Sequence, residues 1–325
     1  MKDVELKMLE RAKQLLESGE VARVIGWKKG EFYFDPTPAS FETVEELSDF
    51  VYNGFCGANL SKYLIQMSKK EGKTAIFLKP CDSYSFNQLL KEHRIVRENI
   101  LVIAIECQGK LDIQKIKDKG IVAVTEVEED GENVKVSSLY GDTSIAKSEI
   151  LLGKCMTCKG KTHQVKDEEI ILHEMPASAD NRFDGVKELE AMNEEERFAF
   201  WQTQLSKCIR CNACRNVCPA CSCIKCVFDN PSSGISAKAN DSEFEEQLFH
   251  VIRAFHVAGR CTDCGECSRV CPQNIPLHLL NKKLIKDIDS LYGEYQAGEE
   301  SEGKTPLTSY TEGDTEPNDV FKAEV

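Results

Sequence analysis

The 325-residue sequence has no long apolar segment. Its longest apolar run, residues 100–105, is far too short for a membrane-spanning helix, which takes about 20 residues. Its first residues contain no apolar stretch of the kind that a secretory signal requires. We therefore expect a cytoplasmic protein without a membrane span, in a reducing compartment where a disulfide framework does not form.

The sequence also lacks an excess of positive charge. It carries 41 Lys and Arg against 54 Asp and Glu, a net charge of −13, which argues against a nucleic-acid partner. Residues 294–325 alone carry nine acids and two bases, with little apolar periodicity. We expect this acidic tail to be disordered or draped over a surface. Residues 207–293, with nine acids and eleven bases, are slightly positive, which suits an anionic iron–sulfur cluster.

Three familiar functional patterns are missing as well. No GxGxxG dinucleotide fingerprint is present, and no Ser/His/Asp set or pair of catalytic carboxylates stands out. What is abundant is cysteine, with 16 residues, several-fold more than packing needs. In a reducing compartment, these cysteines are interpreted as metal or redox ligands.

Apolar runs alternate with amphipathic segments in the first half of the chain, which predicts an α/β domain over residues 1–185. Continuous apolar strands such as 74–79 and 100–106 favour a sheet that is covered on both faces. Polar sequence with Pro and Gly near 173–195 predicts a domain boundary. Predicted helices at 193–205, 243–257 and 277–292 then indicate a mainly α-helical domain over 186–293, followed by the tail 294–325. Elsewhere we predict helices at 3–18, 59–70, 83–93 and 112–119, and strands at 22–27, 31–35, 121–127 and 134–138.

The strongest signal is a cysteine motif that occurs twice, each time ending in Cys-Pro. Its spacing, C-x2-C-x2-C-x3-C-P, is that of bacterial ferredoxins, in which the fourth cysteine binds the other [4Fe–4S] cluster. We therefore predict a first cluster on Cys208, Cys211, Cys214 and Cys271, and a second on Cys261, Cys264, Cys267 and Cys218. The alternative, zinc, is bound by paired C-x2-C knuckles without the x3-C-P element. The 42 residues between the motifs include a predicted amphipathic helix, so this region resembles the α-helical ferredoxin arrangement of respiratory-type and heterodisulfide-reductase-type iron–sulfur subunits.

A third set of cysteines lies in the predicted α/β domain. Cys81 follows one apolar strand and Cys107 ends another, so both belong at the edge where parallel strands end. The knuckle Cys155-x2-Cys158 comes from farther along the chain. These four residues are predicted to hold a third [4Fe–4S] cluster or a zinc ion.

The sequences around these cysteines resemble a known family. KPCDSYSFNQLL, LVIAIECQG, KCMTC and then Ala179-Asp180 follow the order found in β subunits of coenzyme F420-reducing hydrogenases and formate dehydrogenases, over roughly residues 40–185. The resemblance implies one [4Fe–4S] cluster on the four cysteines and an FAD that handles the deazaflavin coenzyme. For the flavin, residues 54–60 precede a predicted helix, where a phosphate is favoured, although an ordinary loop and helix cap explains them equally.

Four cysteines remain: Cys56, Cys221, Cys223 and Cys226. Three of them lie within six residues, directly after a ferredoxin ligand. They are interpreted as ligands of a further cluster or a zinc, or as redox-silent thiols. Alternatively, one of them replaces Cys218 as the fourth ligand of the second cluster.

Together these features predict an iron–sulfur electron-transfer subunit of a cytoplasmic, multi-subunit oxidoreductase of anaerobic metabolism. It would pass single electrons between a flavin and a hydrogenase, formate dehydrogenase or heterodisulfide-reductase-like partner. The alternatives are a zinc-binding scaffold, which would contain zinc and no chromophore, and a free-standing ferredoxin-like carrier, which would purify without partner subunits.

Overall fold

The computed structural model describes residues 1–160, 162–178, 180–230 and 243–307. Its helices are α1 (Lys2–Glu17), α2 (Leu64–Met67), α3 (Pro80–Lys91), α4 (Ile113–Asp118), α5 (Lys147–Ile150), α6 (Gly153–Met156), α7 (Asp184–Ala191), α8 (Glu194–Leu205), α9 (Ala213–Val217), α10 (Glu243–His256), α11 (Glu266–Arg269) and α12 (Leu277–Tyr292). Its strands are β1 (Arg23–Lys28), β2 (Thr37–Phe41), β3 (Thr74–Leu78), β4 (Ile100–Ile105), β5 (Val124–Asp130), β6 (Asn133–Ser138), β7 (Gly141–Ala146) and β8 (Glu168–Ile170).

The main sheet has the strand order β2-β1-β3-β4-β8. Strands β1, β3, β4 and β8 are parallel, and β2 pairs antiparallel with β1 at the edge. Every residue of β3 and β4 is buried, so both faces of the sheet centre are covered, as their continuous apolar sequences predicted. The carboxyl ends of β3 and β4 therefore present the residues that follow them, including Cys81 and Cys107, at one edge.

Several parts of the N-terminal region differ from the sequence predictions. The predicted helix 59–70 is reduced to a 3-10 turn at Ser61–Tyr63 and the four residues of α2. The predicted strand 31–35 is a turn, because the Asp35 side chain accepts a hydrogen bond from the Phe32 amide at 2.9 Å, and the strand is β2 instead. Strands β5, β6 and β7 form a separate antiparallel sheet with its own small core. Strand β7 was not predicted, because only Ile145 is buried among its six residues and no alternation is visible.

The C-terminal region is helical, as predicted, and α12 has the predicted bounds. Helix α10 packs against α8 and α12, and Phe249 lies in a core that also includes Leu205 and Leu277. Among the described residues, no helix combines the length and the apolar character that a bilayer crossing demands.

The first part of the acidic tail lies against both the α/β region and the helical region. Ala297 is buried, the Asn87 side chain donates to the Glu299 carbonyl at 3.3 Å, and the Tyr295 hydroxyl donates to the Gly259 carbonyl at 3.1 Å. Residues 294–307 are thus draped over the surface, one of the two predicted states. Residues 308–325 lie outside the described part of the chain.

Gly298→Ala should loosen this segment. Gly298 has φ +78°, and a Cβ there would lie 1.8 Å from the Tyr84 carbonyl oxygen, so the variant combines backbone strain with a clash against fixed backbone. We expect faster hydrogen–deuterium exchange in peptides that cover 294–307. Gly303→Ala is the matched control, because φ is +90° there but the nearest atom is 3.9 Å away. Equal exchange in the two variants would mean that the contact with Tyr84 does not hold the segment.

Candidate iron–sulfur centres

The two ferredoxin-type loops have the same backbone path. In the first, Arg210 and Asn212 have φ values of 54° and 60°; in the second, Asp263 and Gly265 have 55° and 66°. These pairs stand two and four residues after the first cysteine of each motif. The left-handed residues at matching positions curl each loop around its three cysteines. Three thiols that bind the same cluster have to converge in this way.

The four cysteines predicted for the first cluster line one small cavity. Cys208, Cys211, Cys214 and Cys271 all border it, together with Phe249 and His250 of α10. Cys214 also interacts electrostatically with Cys211 and Cys271. The structure therefore brings the remote Cys271 to the first loop, as the predicted ligand exchange requires.

The set predicted for the second cluster is brought together in the same way. Cys218 comes from the first motif, yet it is an electrostatic neighbour of Cys261, Cys264 and Cys267. All four thiols are buried or half-buried.

A buried arginine separates the two sets. Arg253 of α10 is an electrostatic neighbour of Cys214 in the first set and of Cys218 and Cys267 in the second. It also donates to the Cys214 carbonyl at 3.1 Å. Burial alone would lower the pKa of Arg253, but these thiolates outweigh burial and hold the pKa above its ordinary value. Arg253 thus supplies positive charge to both predicted clusters.

The third set of cysteines gathers at the carboxyl edge of the main sheet. Cys81 lies in the first turn of α3, Cys107 follows β4, and Cys155 lies in α6. Two glycines permit the approach. Gly109 has φ +92°, a Cβ there would lie 2.8 Å from Leu151, and the next amide, Lys110, donates to Cys155 Sγ at 3.4 Å.

Gly160 brings the second half of the knuckle to Cys81. A Cβ at Gly160 would lie 3.1 Å from the Cys81 backbone, and Cys158 is an electrostatic neighbour of Cys81. Burial raises the pKa of Cys155 to about 11, and the charges of Cys107 and Cys158 add to this effect. Because burial raises the pKa of the Cys81 and Cys155 thiols, a positively charged metal centre is what would hold them as thiolates.

Buried lysines that sequence reasoning missed surround this set. Lys110 is 1% exposed and donates to the Asn53 carbonyl at 3.0 Å; burial lowers its pKa, while the Cys107 charge opposes that change. Lys154 interacts with Cys81 and Cys155, and Lys159 directly follows Cys158. The sequence does contain one indication of these lysines, because Lys154 directly precedes Cys155 and Lys159 directly follows Cys158.

The second ferredoxin loop docks on this same edge. Glu266, which is fully buried, accepts hydrogen bonds from Lys154 and, at 2.8 Å, from Arg269. Burial alone would raise the pKa of Glu266, but these two cations hold it well below its usual range. The Ser85 and Thr262 hydroxyls also share a hydrogen bond of 2.8 Å across this contact between the α/β region and the second ferredoxin loop, which we call the seam.

Two lysines lie between the third set and the second loop. Lys159 donates to the Thr262 carbonyl at 2.7 Å and interacts with Cys261 and Cys264. Burial, partly opposed by Asp263, lowers the pKa of Lys159 to about 8. Lys282 interacts with Cys158 on one side and Cys261 on the other. The third set therefore lies next to the second.

The remaining cysteines do not form one site. Cys56 is a core thiol, and burial raises its pKa to about 11. Cys221 hydrogen-bonds to Cys218 and lowers the pKa of that thiol. Cys221, Cys223 and Cys226 line a cavity of about 770 Å³ between the α/β and helical regions.

The segment 54–60 is occupied by contacts within the protein. The amides of Phe55, Cys56 and Gly57 bond to residues 53–55, and the Asn59 amide donates to Glu266 at 3.2 Å. These N–H groups are not directed towards a ligand, which agrees with the alternative of an ordinary loop. Of the motif Ala179-Asp180, Ala179 lies outside the described residues.

An α/β domain joined to a helical domain with two ferredoxin-type loops defines the class, an iron–sulfur electron-transfer protein. The family model for a 4Fe-4S dicluster domain matches residues 204–275. The chain is 23% identical to the F420-dependent formate dehydrogenase subunit beta of Methanocaldococcus jannaschii, over 86% of this chain and 88% of that protein. It is 25% identical to the corresponding formate dehydrogenase 1 subunit of Methanococcus maripaludis, over 66% and 72% of the two chains.

Over most of its length the chain is therefore similar to β subunits of F420-dependent formate dehydrogenases, and its residues 204–275 match a 4Fe-4S dicluster domain. The family resemblance read from the cysteine motifs is thus confirmed. Among solved structures, a chain of the F420-reducing [NiFe] hydrogenase complex of Methanosarcina barkeri matches 48% of this chain and 63% of its own length, with 12% identity and a TM-score of 0.37.

Glu266→Gln should destabilise the seam between the domains. The change leaves the buried Lys154 side chain and the half-buried Arg269 without their counter-charge, and breaking a buried ion pair typically costs about 3 kcal/mol or more. We expect a lower urea midpoint for the anaerobically purified protein, with iron measured on the same sample. The double variant Glu266→Gln/Lys154→Met should recover part of the loss, because it removes one uncompensated charge. A single variant as stable as the unmodified protein would contradict this account of the seam.

Proposed function

We propose that this chain relays single electrons through three [4Fe–4S] clusters as the β-type subunit of a larger oxidoreductase. The observation that carries the proposal is the seam, where the third cysteine set and the second ferredoxin loop share Lys159 and Lys282. A cluster supplies one-electron chemistry when it is bound. The residues of this chain would hold the clusters in the order third, second, first, with Arg253 between the last two.

The first centre is the one that faces outward. Cys211 is exposed, and the neighbouring Ile209 is 61% exposed, whereas the cysteines of the second centre are more enclosed. A partner subunit would therefore exchange electrons at the first centre. The relatives are named as formate dehydrogenase β subunits, so we propose a formate dehydrogenase or a related hydrogenase as that partner.

The cysteine spacing in the sequence supports clusters over zinc, because both ferredoxin-type motifs carry the x3-C-P element that zinc knuckles lack. Among the described residues, the one group of at least three ligand atoms within 4.8 Å of each other is Cys208, Glu246 and His250.

The resemblance also implies an FAD, and among the described residues a cavity of about 770 Å³ suits one. Its size is that of a cofactor site. Four cations line it, Lys62, Arg215, Arg253 and Arg260; Arg215 is paired with Asp229 and Arg260 with Glu92, so the lining keeps an excess of positive charge that suits a pyrophosphate. Lys62 also donates to the Cys218 carbonyl at 2.9 Å, so a ligand held there would lie beside the second centre.

Cys81→Ala should remove about four of about twelve irons per chain, because it deletes a ligand of the third cluster and of neither ferredoxin cluster. Cys214→Ala should instead remove a ferredoxin cluster and weaken the helical region, since metal binding contributes folding free energy. Iron and sulfide are quantified on anaerobically purified protein, with zinc measured in parallel.

Cys56→Ala is the control for Cys81→Ala, because Cys56 is a buried thiol of the same domain and is assigned to the core. It should retain all of the iron. If Cys81→Ala also keeps its full iron content, the third centre is wrong. One zinc per cysteine set and no iron would favour the scaffold instead.

Gln66→Trp should reduce flavin binding and leave the iron content unchanged. Gln66 is exposed on the wall of the large cavity, and an indole there takes up the volume that a ligand needs. Added FAD is titrated by quenching of its fluorescence, with Lys91→Trp, an α3 position that is not among the cavity-lining residues, as the control. Equal FAD affinity in both variants would place the flavin elsewhere.

A further inference from the structure

We propose that His250 is a positioning residue for the first cluster: its Nε2–H group donates a hydrogen bond to Cys208 Sγ and raises the reduction potential of that cluster. This inference rests on the proposed function, since it takes Cys208 as a cluster ligand. It adds a tuning group to a site that the cysteine motif alone describes.

The geometry places the imidazole against the thiol. His250 lies on α10 and is 1% exposed, and its Nε2 atom is 3.3 Å from Cys208 Sγ. It lines the same cavity as all four predicted ligands of the first cluster. The ring of Phe249 contacts the imidazole edge-on, with 5.0 Å between ring centroids, and this packing helps to fix the ring orientation.

The surroundings of the ring decide which nitrogen carries the proton. His250 is buried, and its Nε2 atom faces the Cys208 sulfur. Its Nδ1 atom is buried and has no hydrogen-bond partner. A proton on Nδ1 would be a buried unpaired donor, and the bare Nε2 would then face a thiolate. The proton therefore belongs on Nε2, where it is shared with Cys208.

This hydrogen bond acts on the potential because the reduced cluster carries one more negative charge. A donor to a ligand sulfur stabilises the reduced state more than the oxidised state. The Arg210 amide also donates to Cys208 Sγ, at 3.4 Å, so two donors meet on this sulfur. The Glu246 carboxylate lies close to Cys208 and is paired with Arg210 at 3.5 Å, which limits its opposing effect.

The experiment compares His250→Leu with His250→Gln in the full chain, purified anaerobically. Both variants should keep the iron content, because neither removes a ligand. In an EPR-monitored redox titration, His250→Leu should make the first cluster about tenfold harder to reduce at a given potential, a shift of about 59 mV for one electron. His250→Gln should shift less, because its amide can still donate. Val251→Ala, the next residue on α10 and 40% exposed, should not shift.

A second readout identifies the cluster concerned. In protein labelled with 15N-histidine, pulsed EPR of the reduced state should show a weak nitrogen coupling, which both His250 variants lose. An unchanged potential in His250→Leu would overturn the proposal. So would a strong coupling together with loss of iron in both variants, because His250 would then be a ligand. Unmodified protein without iron–sulfur clusters would instead refute the proposed function itself.

Discussion

Buried thiolate charge is the constraint on which the rest of this structure depends. Cysteine sulfurs that bind clusters must be ionised, yet burial opposes ionisation, as the raised thiol pKa values of Cys155 and Cys261, about 11 and about 12, show. The chain answers with buried cations. Arg253 interacts with cysteines of both ferredoxin-type sets, and Lys110 and Lys154 interact with cysteines of the third set. Each of these cations would be costly to bury alone, so metal binding and folding depend on each other.

The same constraint fixes how the two domains meet. The seam gathers Lys154 and Arg269, and the fully buried Glu266 balances them. The second ferredoxin loop can approach the α/β region closely because Gly265 lies opposite the long side chain of Lys154. At Gly265, a Cβ would lie 2.4 Å from the Lys154 side chain, and φ is +66°, so a larger residue there would force the loop away. The charge balance and this close fit hold the second ferredoxin loop beside the third cysteine set.

Local signals in the sequence predicted the parts that depend on local physics. The apolar runs of β3 and β4 predicted buried parallel strands, and the periodic apolar stripe of α12 predicted both of its ends. The cysteine spacing predicted which thiols would be brought together, including the remote Cys271. The roles of Gly109 and Gly160 were invisible, because each depends on a segment that is distant in sequence, Leu151 for one and Cys81 for the other. The contact between His250 and Cys208 was invisible for the same reason, because the two residues are 42 positions apart and nothing local indicates that the ring meets that sulfur.

The buried cations are unevenly distributed between the first and second cysteine sets. Arg253, Lys159 and Lys282 all interact with cysteines of the second set, where Asp263 and Glu266 oppose them, whereas the first set has Arg253 and the Arg210–Glu246 pair. Positive charge around a cluster favours its reduced form, and solvent exposure and hydrogen bonds modify this effect. In the proposed relay, the hydrogen bond from the buried His250 imidazole to Cys208 would stabilise the reduced state of the exposed first centre.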